Sequence, residues 1–173
     1  MNLLKQTILG ATICALSHGQ AKYEDILKGS AENWLTYAGD YASVRHSPLK
    51  QITRDNVSRL APKWIYHVEG ARRLETVPLV YQGVMYITNT NEVQALDAVS
   101  GRRIWRYQAQ SKGQRVNRGV ALLGDKVYLI TTDCYLIALN RVNGAVVWKK
   151  EFASAKEGYT STLAPLAIKD RIL

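Results

Sequence analysis

The side chains with the most intrinsic chemistry are few and scattered. The 173 residues include two cysteines, Cys14 and Cys134, and three histidines, His18, His46 and His67. A zinc-type site needs such residues in closely spaced pairs, so that the chain can return two ligands to one ion. These five make no such spacing. Cys14 falls in a segment expected to be removed, which leaves Cys134 without a disulfide partner and marks it as a small buried apolar residue. Lys and Arg outnumber Asp and Glu by 23 to 14, for a formal net charge of +9. The cations are dispersed along the chain, with no recognition helix and no RNA-binding sheet motif beside them. The expectation is a solvated basic surface and no nucleic acid, with room for an acidic soluble partner.

What must position any chemistry is a repeat. Val93-Gln94-Ala95-Leu96-Asp97-Ala98-Val99-Ser100-Gly101-Arg102-Arg103-Ile104-Trp105 recurs as Leu136-Ile137-Ala138-Leu139-Asn140-Arg141-Val142-Asn143-Gly144-Ala145-Val146-Val147-Trp148. Trp105 and Trp148 are 43 residues apart, and Trp64 precedes Trp105 by 41. A period of about 40 to 45 residues with strands inside each unit is the mark of a propeller blade. Each copy reads apolar run, Asp or Asn, three residues, Gly, then Trp. Asp97 or Asn140 can open a turn with its side chain, and Gly101 or Gly144 can supply the positive φ that closes it. The strand that follows carries a large indole, which a lone four-stranded sheet cannot bury, so neighbouring blades must stack on it.

Taken in order, residues 1–21 carry Lys5, then the mainly apolar run Ile8 to Leu16, then small and polar residues. This is the pattern of a secretory signal peptide cut near Ala21, too short to span a bilayer as a mature anchor, and it predicts export. Ile13, a bulky residue before Cys14, disfavours lipoprotein cleavage there. Residues 22–62 form an aromatic leader with short helices expected at Tyr23 to Lys28 and Asp55 to Leu60, the second capped at Thr53 or Asp55 and stopped by Pro62. The stretch between them is too aromatic for a linker and is expected to pack across the first blade or to close a ring. Residues 63–173 hold the repeats. Lys63 to Val68 reads as a strand, and three hairpins follow in the same phase: 78–81 with 84–88, 119–123 with 126–131, and 164–168 with 171–173. The expected fold is all-β, a propeller represented by its first two blades and the start of a third. Propellers close with ~4 to 8 blades, so the chain reads as the N-terminal part of a longer protein.

The phrases Ala95-Leu96-Asp97 with Gly101 and Trp105, and Ala138-Leu139-Asn140 with Gly144 and Trp148, resemble the tryptophan-docking motif of dehydrogenases that use pyrroloquinoline quinone (PQQ). The leader from Trp34-Leu35-Thr36-Tyr37 through Arg45-His46-Ser47-Pro48-Leu49, with Gln51-Ile52, Asn56-Val57, Leu60 and Trp64, is similar to the segment after the signal peptide in alcohol dehydrogenases of that family. The resemblance covers the chain beyond residue 30. It implies three cofactor-binding positions, one at the start of each repeat: Glu75, Arg118, and Thr162, which has Thr160 as a near neighbour. Pyrroloquinoline quinone carries three carboxylates and an ortho-quinone. A fixed multi-donor cation such as Arg118 suits it, Thr162 can add a hydrogen bond, and Glu75 must be paired with a cation or protonated. Many members of the family carry two adjacent cysteines before the arginine; Lys112 and Gly113 stand here instead.

The resemblance further implies an eight-bladed periplasmic enzyme that oxidises an alcohol. It implies calcium as Lewis acid and a catalytic aspartate, both supplied beyond Leu173, and a c-type cytochrome or membrane quinone as electron acceptor. On that reading this polypeptide is inactive alone and holds the quinone weakly or not at all. Two rival readings share parts of the pattern. A non-catalytic repeat propeller acting as an assembly scaffold would have the docking motif without needing the leader, Glu75 or Arg118. A sugar dehydrogenase of the same cofactor class would usually follow membrane helices.

Overall fold

The computed structural model describes residues 19–111 and 113–173. Most of the expected signal peptide, and Lys112, therefore lie outside the described residues. Eight strands form two antiparallel meanders of identical plan. The first runs β1 (Leu79–Tyr81), β2 (Val84–Asn89), β3 (Glu92–Asp97) and β4 (Arg103–Gln108). The second runs β5 (Ala121–Leu123), β6 (Lys126–Ile130), β7 (Tyr135–Asn140) and β8 (Val146–Glu151). A last hairpin, β9 (Ala167–Ile168) with β10 (Arg171–Ile172), opens a third unit. These are two propeller blades and the beginning of another, as the repeat predicts.

The turn that closes each blade follows from its side chains. Oδ1 of Asp97 accepts from the N–H groups of Val99 and Ser100 at 3.2 and 2.7 Å, and Oδ1 of Asn140 accepts from Val142 and Asn143 at 2.9 and 3.2 Å. Gly101 and Gly144 then turn the chain at φ +72° and +73°. Each last strand is shifted against its neighbour at the matching place, Ala95/Leu96 and Ala138/Leu139.

Docking between blades repeats as faithfully. The indole of Trp105 lies over Gly144 and its Nε1–H donates to the carbonyl of Arg141 at 3.0 Å. Trp64 lies over Gly101 in the same way and donates to the carbonyl of Ala98 at 3.2 Å. The middle strands are buried on both faces between these layers, and the core runs through Tyr86, Leu122, Leu129, Ile137 and Leu139. Burial of each such side chain contributes about 2 kcal/mol. At the far edge β8 is exposed along its length and Trp148 is 38% exposed against 8% for Trp105. The Trp148 ring packs on Tyr128 with centroids 5.8 Å apart, and among the described residues no further four-stranded blade follows β8.

Two local expectations are corrected. Residues 63–68 do not form a strand; the chain bends at Lys63 and takes no regular structure from there to Val68. A strand requires a partner's ladder, and none of the described strands pairs with this segment; Trp64 docks without one. The helix expected at 55–60 is a single 3₁₀ turn, Val57–Arg59. The side chain of Asn56 accepts from the N–H of Thr53 and donates to the carbonyl of Gln51, both at 2.8 Å, which offers the backbone a turn in place of a helix. The helix α1 (Tyr23–Lys28) does form, with Asp25 accepting from the N–H of Lys22 at 3.1 Å and Ile26 buried.

The leader is fastened to all three units. The backbone of Trp34 pairs with Val80 of β1 through bonds of 2.8 and 2.9 Å, Ala21 pairs with Gly124 between β5 and β6, and the hydroxyl of Tyr41 donates to the carbonyl of Ala167 in β9.

Candidate functional site

Glu75, Arg118 and Thr162 each lie in the extended segment that leads into the first strand of their own unit, and the structure brings them together. Nη2 of Arg118 is 3.1 Å from Oε2 of Glu75, and Nη1 of Arg118 donates to the Thr162 hydroxyl and, at 3.4 Å, to the Thr162 carbonyl. One guanidinium thus joins the starts of three successive units. Counted back from the ends of β1, β5 and β9, Arg118 is out of phase with the other two by a single residue. Its long side chain reaches both neighbours across that offset.

The backbone there converges as closely as the side chains. Val77 donates to the carbonyl of Arg118 at 3.2 Å. A Cβ on Gly119 would lie 3.4 Å from the Val77 carbonyl and 3.5 Å from Cβ of Ala164, at a φ of +141°. Residues preceding the three first strands therefore meet at one place.

Two residues absent from the sequence reading, Asn117 and Thr76, hold this arrangement. Asn117 is buried, its Nδ2 donates to the carbonyl of Ile130 at 2.8 Å, and its Oδ1 accepts from Gly119 at 3.0 Å. That clamps the backbone on either side of Arg118. In the first unit the Thr76 hydroxyl accepts from the backbone and side chain of Thr88, at 3.1 and 2.8 Å, and so fixes the residue after Glu75. The Asn117–Gly119 bond is local, but the partners that tie these residues to the sheets, Ile130 and Thr88, are a strand or more away in the chain, where no spacing records them.

Electrostatically the cluster is cationic. Arg73 approaches Glu75 at 3.6 Å, so one carboxylate stands between two guanidinium groups. The Arg118 side chain is 44% exposed and that of Glu75 32%. Arg118 also lines a cleft of about 370 Å³ between leader residues Tyr37 and Tyr41 and the segment 163–166. A partly exposed guanidinium beside a hydroxyl, with the adjoining Glu75 carboxylate already neutralised, has the donor set for a carboxylate-bearing ligand. The residues fit pyrroloquinoline quinone in that respect. They do not supply a metal site: among the described residues no three His, Cys, Asp or Glu side chains gather for one. Gly113, where the resemblance puts a cysteine in other members, packs against Thr132. A Cβ there would come within 1.9 Å of Oγ1 of Thr132, so this backbone leaves no space for a side chain.

Stacked four-stranded blades, each opened by a polar segment that reaches one shared seam, define a propeller of the ligand-holding repeat type. The chain belongs to the PQQ family, described as the glucose/ethanol/alcohol dehydrogenase β-propeller domain, which it matches over residues 34–162. It is 40% identical to the 1-butanol dehydrogenase (quinone) of Thauera butanivorans over 182 residues, covering 96% of this chain and 29% of that protein. The solved quinohemoprotein alcohol dehydrogenase ADHIIG from Pseudomonas putida HK5 superposes with a TM-score of 0.84 at 35% identity, over 88% of this chain and 24% of that one. A europium-containing methanol dehydrogenase superposes with a TM-score of 0.80 at 32% identity, over 86% of this chain and 28% of its own. The chain therefore spans less than a third of the length of each.

Proposed function

We propose that this chain is the N-terminal part of an exported, PQQ-dependent alcohol dehydrogenase, in which Arg118 and Thr162 hold the quinone cofactor and Glu75 holds Arg118. The observation that carries the reading is the Glu75–Arg118–Thr162 chain of contacts across three successive units. Arg118 would bind a cofactor carboxylate with the donors left free by its two partners, while the Thr162 hydroxyl orients the guanidinium. Glu75, fixed between Arg73 and Arg118, would keep that guanidinium from swinging into solvent. When bound, the quinone supplies the two-electron acceptor for alcohol oxidation.

The metal, calcium or a lanthanide, and the proton-accepting aspartate would be contributed by parts of an eight-bladed ring outside this chain. The exposed β8 face and Trp148 are what the next completed blade would cover. The chain alone is then inactive. The similarity to a quinone-linked butanol dehydrogenase and to a quinohemoprotein supports a membrane quinone or a haem protein such as a c-type cytochrome as electron acceptor. The signal-peptide pattern of residues 1–21 supports a periplasmic location.

The test uses the complete protein that carries this chain, reconstituted with pyrroloquinoline quinone and either calcium or a lanthanide, with dye reduction by short alcohols as the assay. Cofactor-dependent oxidation is expected, with cofactor affinity in Arg118→Ala reduced about 100-fold for the loss of a charge-assisted contact. No cofactor-dependent oxidation with either metal, or undiminished affinity in the variant, would overturn the assignment.

A further inference from the structure

The turn between the second and third strands is built the same way in both units, except for one side chain. At Asn91 in the first unit and Cys134 in the second the backbone takes a positive φ, +54° and +64°. The carbonyl at that residue accepts from the N–H that begins the next connector, Ala109 at 2.9 Å and Phe152 at 3.1 Å. Each turn therefore fastens the start of the segment leading to the following unit. Cys134 adds only a buried free thiol, whereas Asn91 adds an amide.

That amide reaches two other segments. Asn91 is 1% exposed, and its Nδ2 donates to the Gly113 carbonyl at 2.9 Å and to the Thr132 hydroxyl at 3.1 Å. Its Oδ1 accepts from the Thr132 N–H at 2.7 Å. A buried amide with both donors and its acceptor engaged is fixed in orientation, and so are its partners.

Thr132 passes the link on. Its carbonyl accepts from the Thr160 hydroxyl at 2.9 Å and from the Ser161 N–H at 3.3 Å, and its own hydroxyl lies 3.2 Å from that of Ser111. One asparagine of the first unit thus holds the connector that delivers Arg118 and, through Thr132, the connector that delivers Thr162. Both connectors lack regular structure over these residues, and the Arg118 side chain they help to place is 44% exposed. A loop that must be ordered when its ligand arrives loses affinity to that ordering; one already pinned does not.

We propose that Asn91 is a positioning residue for the Arg118–Thr162 seam, its amide holding the two connectors in register before any ligand arrives. This rests on the reading of that seam as the quinone site. Asn91 belongs to the seam only through Gly113 and Thr132. The residue type is specific: asparagine tolerates the left-handed conformation and offers a donor and an acceptor together. An ionised aspartate would offer the Gly113 carbonyl no donor, and glycine would offer neither group.

The test compares Asn91→Gly, Asn91→Asp and Cys134→Gly in the complete protein that carries this chain. Glycine keeps the positive φ, so the two glycine variants delete one buried side chain each from the same kind of turn. Hydrogen exchange of residues 113–118 and 158–162 is read without cofactor, and affinity is read by titrating the apoprotein with pyrroloquinoline quinone. In Asn91→Gly exchange in both segments should be about tenfold faster and cofactor affinity about tenfold lower. Asn91→Asp, which keeps the volume and the acceptor, should behave alike. Cys134→Gly should leave the affinity at the parent value even where it lowers the urea midpoint. Parent-like affinity in either Asn91 variant, loss of affinity without faster exchange, or an equal loss in Cys134→Gly at matched stability would overturn the positioning role. If Arg118→Ala is impaired while the Asn91 variants are not, only that role falls. If Arg118→Ala binds the quinone as the parent does, the cofactor reading falls and the positioning role with it.

Discussion

Gly144 lies under the indole of Trp105 so closely that a Cβ built on it would come within 2.6 Å of Cε3 of the ring. Gly101 stands in the same relation to Trp64, at 2.7 Å. Both glycines also hold a positive φ, so two independent requirements exclude a side chain. Gly144→Ala is expected to destabilise the chain by about 3 kcal/mol, of which about 1 is conformational and the rest displacement of the indole. Gly124→Ala is the control. Its φ is +63° with nothing within 4 Å of a Cβ, so only the conformational part, about 1 kcal/mol, applies there. Urea unfolding of both variants measures the difference, and equal costs would remove the docked indole as a source of stability.

Much of this was legible because it is local. The Asp or Asn to Gly to Trp phrase contains its own turn, cap and docking surface, and the three hairpin turns lie where the sequence puts them, at 82–83, 124–125 and 169–170. The failure at 63–68 is of another kind. A strand-like pattern specifies which side chains face inward, but the ladder has to come from elsewhere in the chain. The same reasoning applies to the site. Glu75, Arg118 and Thr162 could be matched to a motif, whereas Asn117 and Thr76, which hold them, bond to Ile130 and Thr88 through tertiary contacts that no spacing records. Arg141 replaces the equivalent Ala98 of the first blade and looks like one more surface cation, yet it is buried beneath Tyr81.

The turns that close the two blades are capped by a carboxyl in one and an amide in the other, and that difference predicts a pH effect. The Ser100 hydroxyl, donating to Oδ1 of Asp97 at 2.7 Å, is the main cause that holds the Asp97 carboxyl below its ordinary range, helped by the backbone N–H groups of Ser100 and Val99. A carboxyl depressed in the folded state stabilises it above the unfolded value, about pH 4, and loses that contribution as pH falls through the folded value. Asn140 makes the equivalent turn with no proton to gain. Asp97→Asn is therefore expected to show a smaller drop in Tm between pH 7 and about pH 3 than the parent. Identical drops would mean that this turn is not linked to acid unfolding.

Two arginine–glutamate pairs, one within the first unit and one joining it to the second, should differ sharply in their effect on stability. Glu92 is buried, with 2% of its side chain exposed, and Arg106 bonds it through Nε and Nη2 at 3.0 and 3.1 Å, while Gln94 adds a third donor. Arg106→Ala strands that carboxylate in the core and is expected to cost about 3 kcal/mol. Arg118→Ala breaks a pair that water already reaches on both sides, and less than about 1 kcal/mol is expected. The same urea titration reads both. A large loss in Arg118→Ala would make the seam a structural element first and a ligand site second.

Cys134 offers a check on the core from its chemistry. It sits at φ +64° between β6 and β7, 2% exposed, with its N–H donating to Thr131 at 3.0 Å and its carbonyl accepting from Phe152 at 3.1 Å. Burial pushes its thiol pKa up, and the carboxylates of Asp133 and Glu151 add to the shift. The thiolate is the reactive species, so both access and ionisation protect this residue in the folded chain. In a Cys14→Ser background, where Cys134 is the sole thiol, alkylation at pH 8 should be about 100-fold slower in buffer than in denaturing urea. The linkage has the opposite sign to that of Asp97. A folded thiol pKa above the unfolded one favours the native chain at neutral pH, and the advantage is lost as pH rises past about 8.5. Alkylation should accordingly accelerate with pH faster than the ionisation of a free thiol allows, because the alkaline chain opens more often. Rapid labelling in buffer at neutral pH would show instead that the β6–β7 turn is open to solvent.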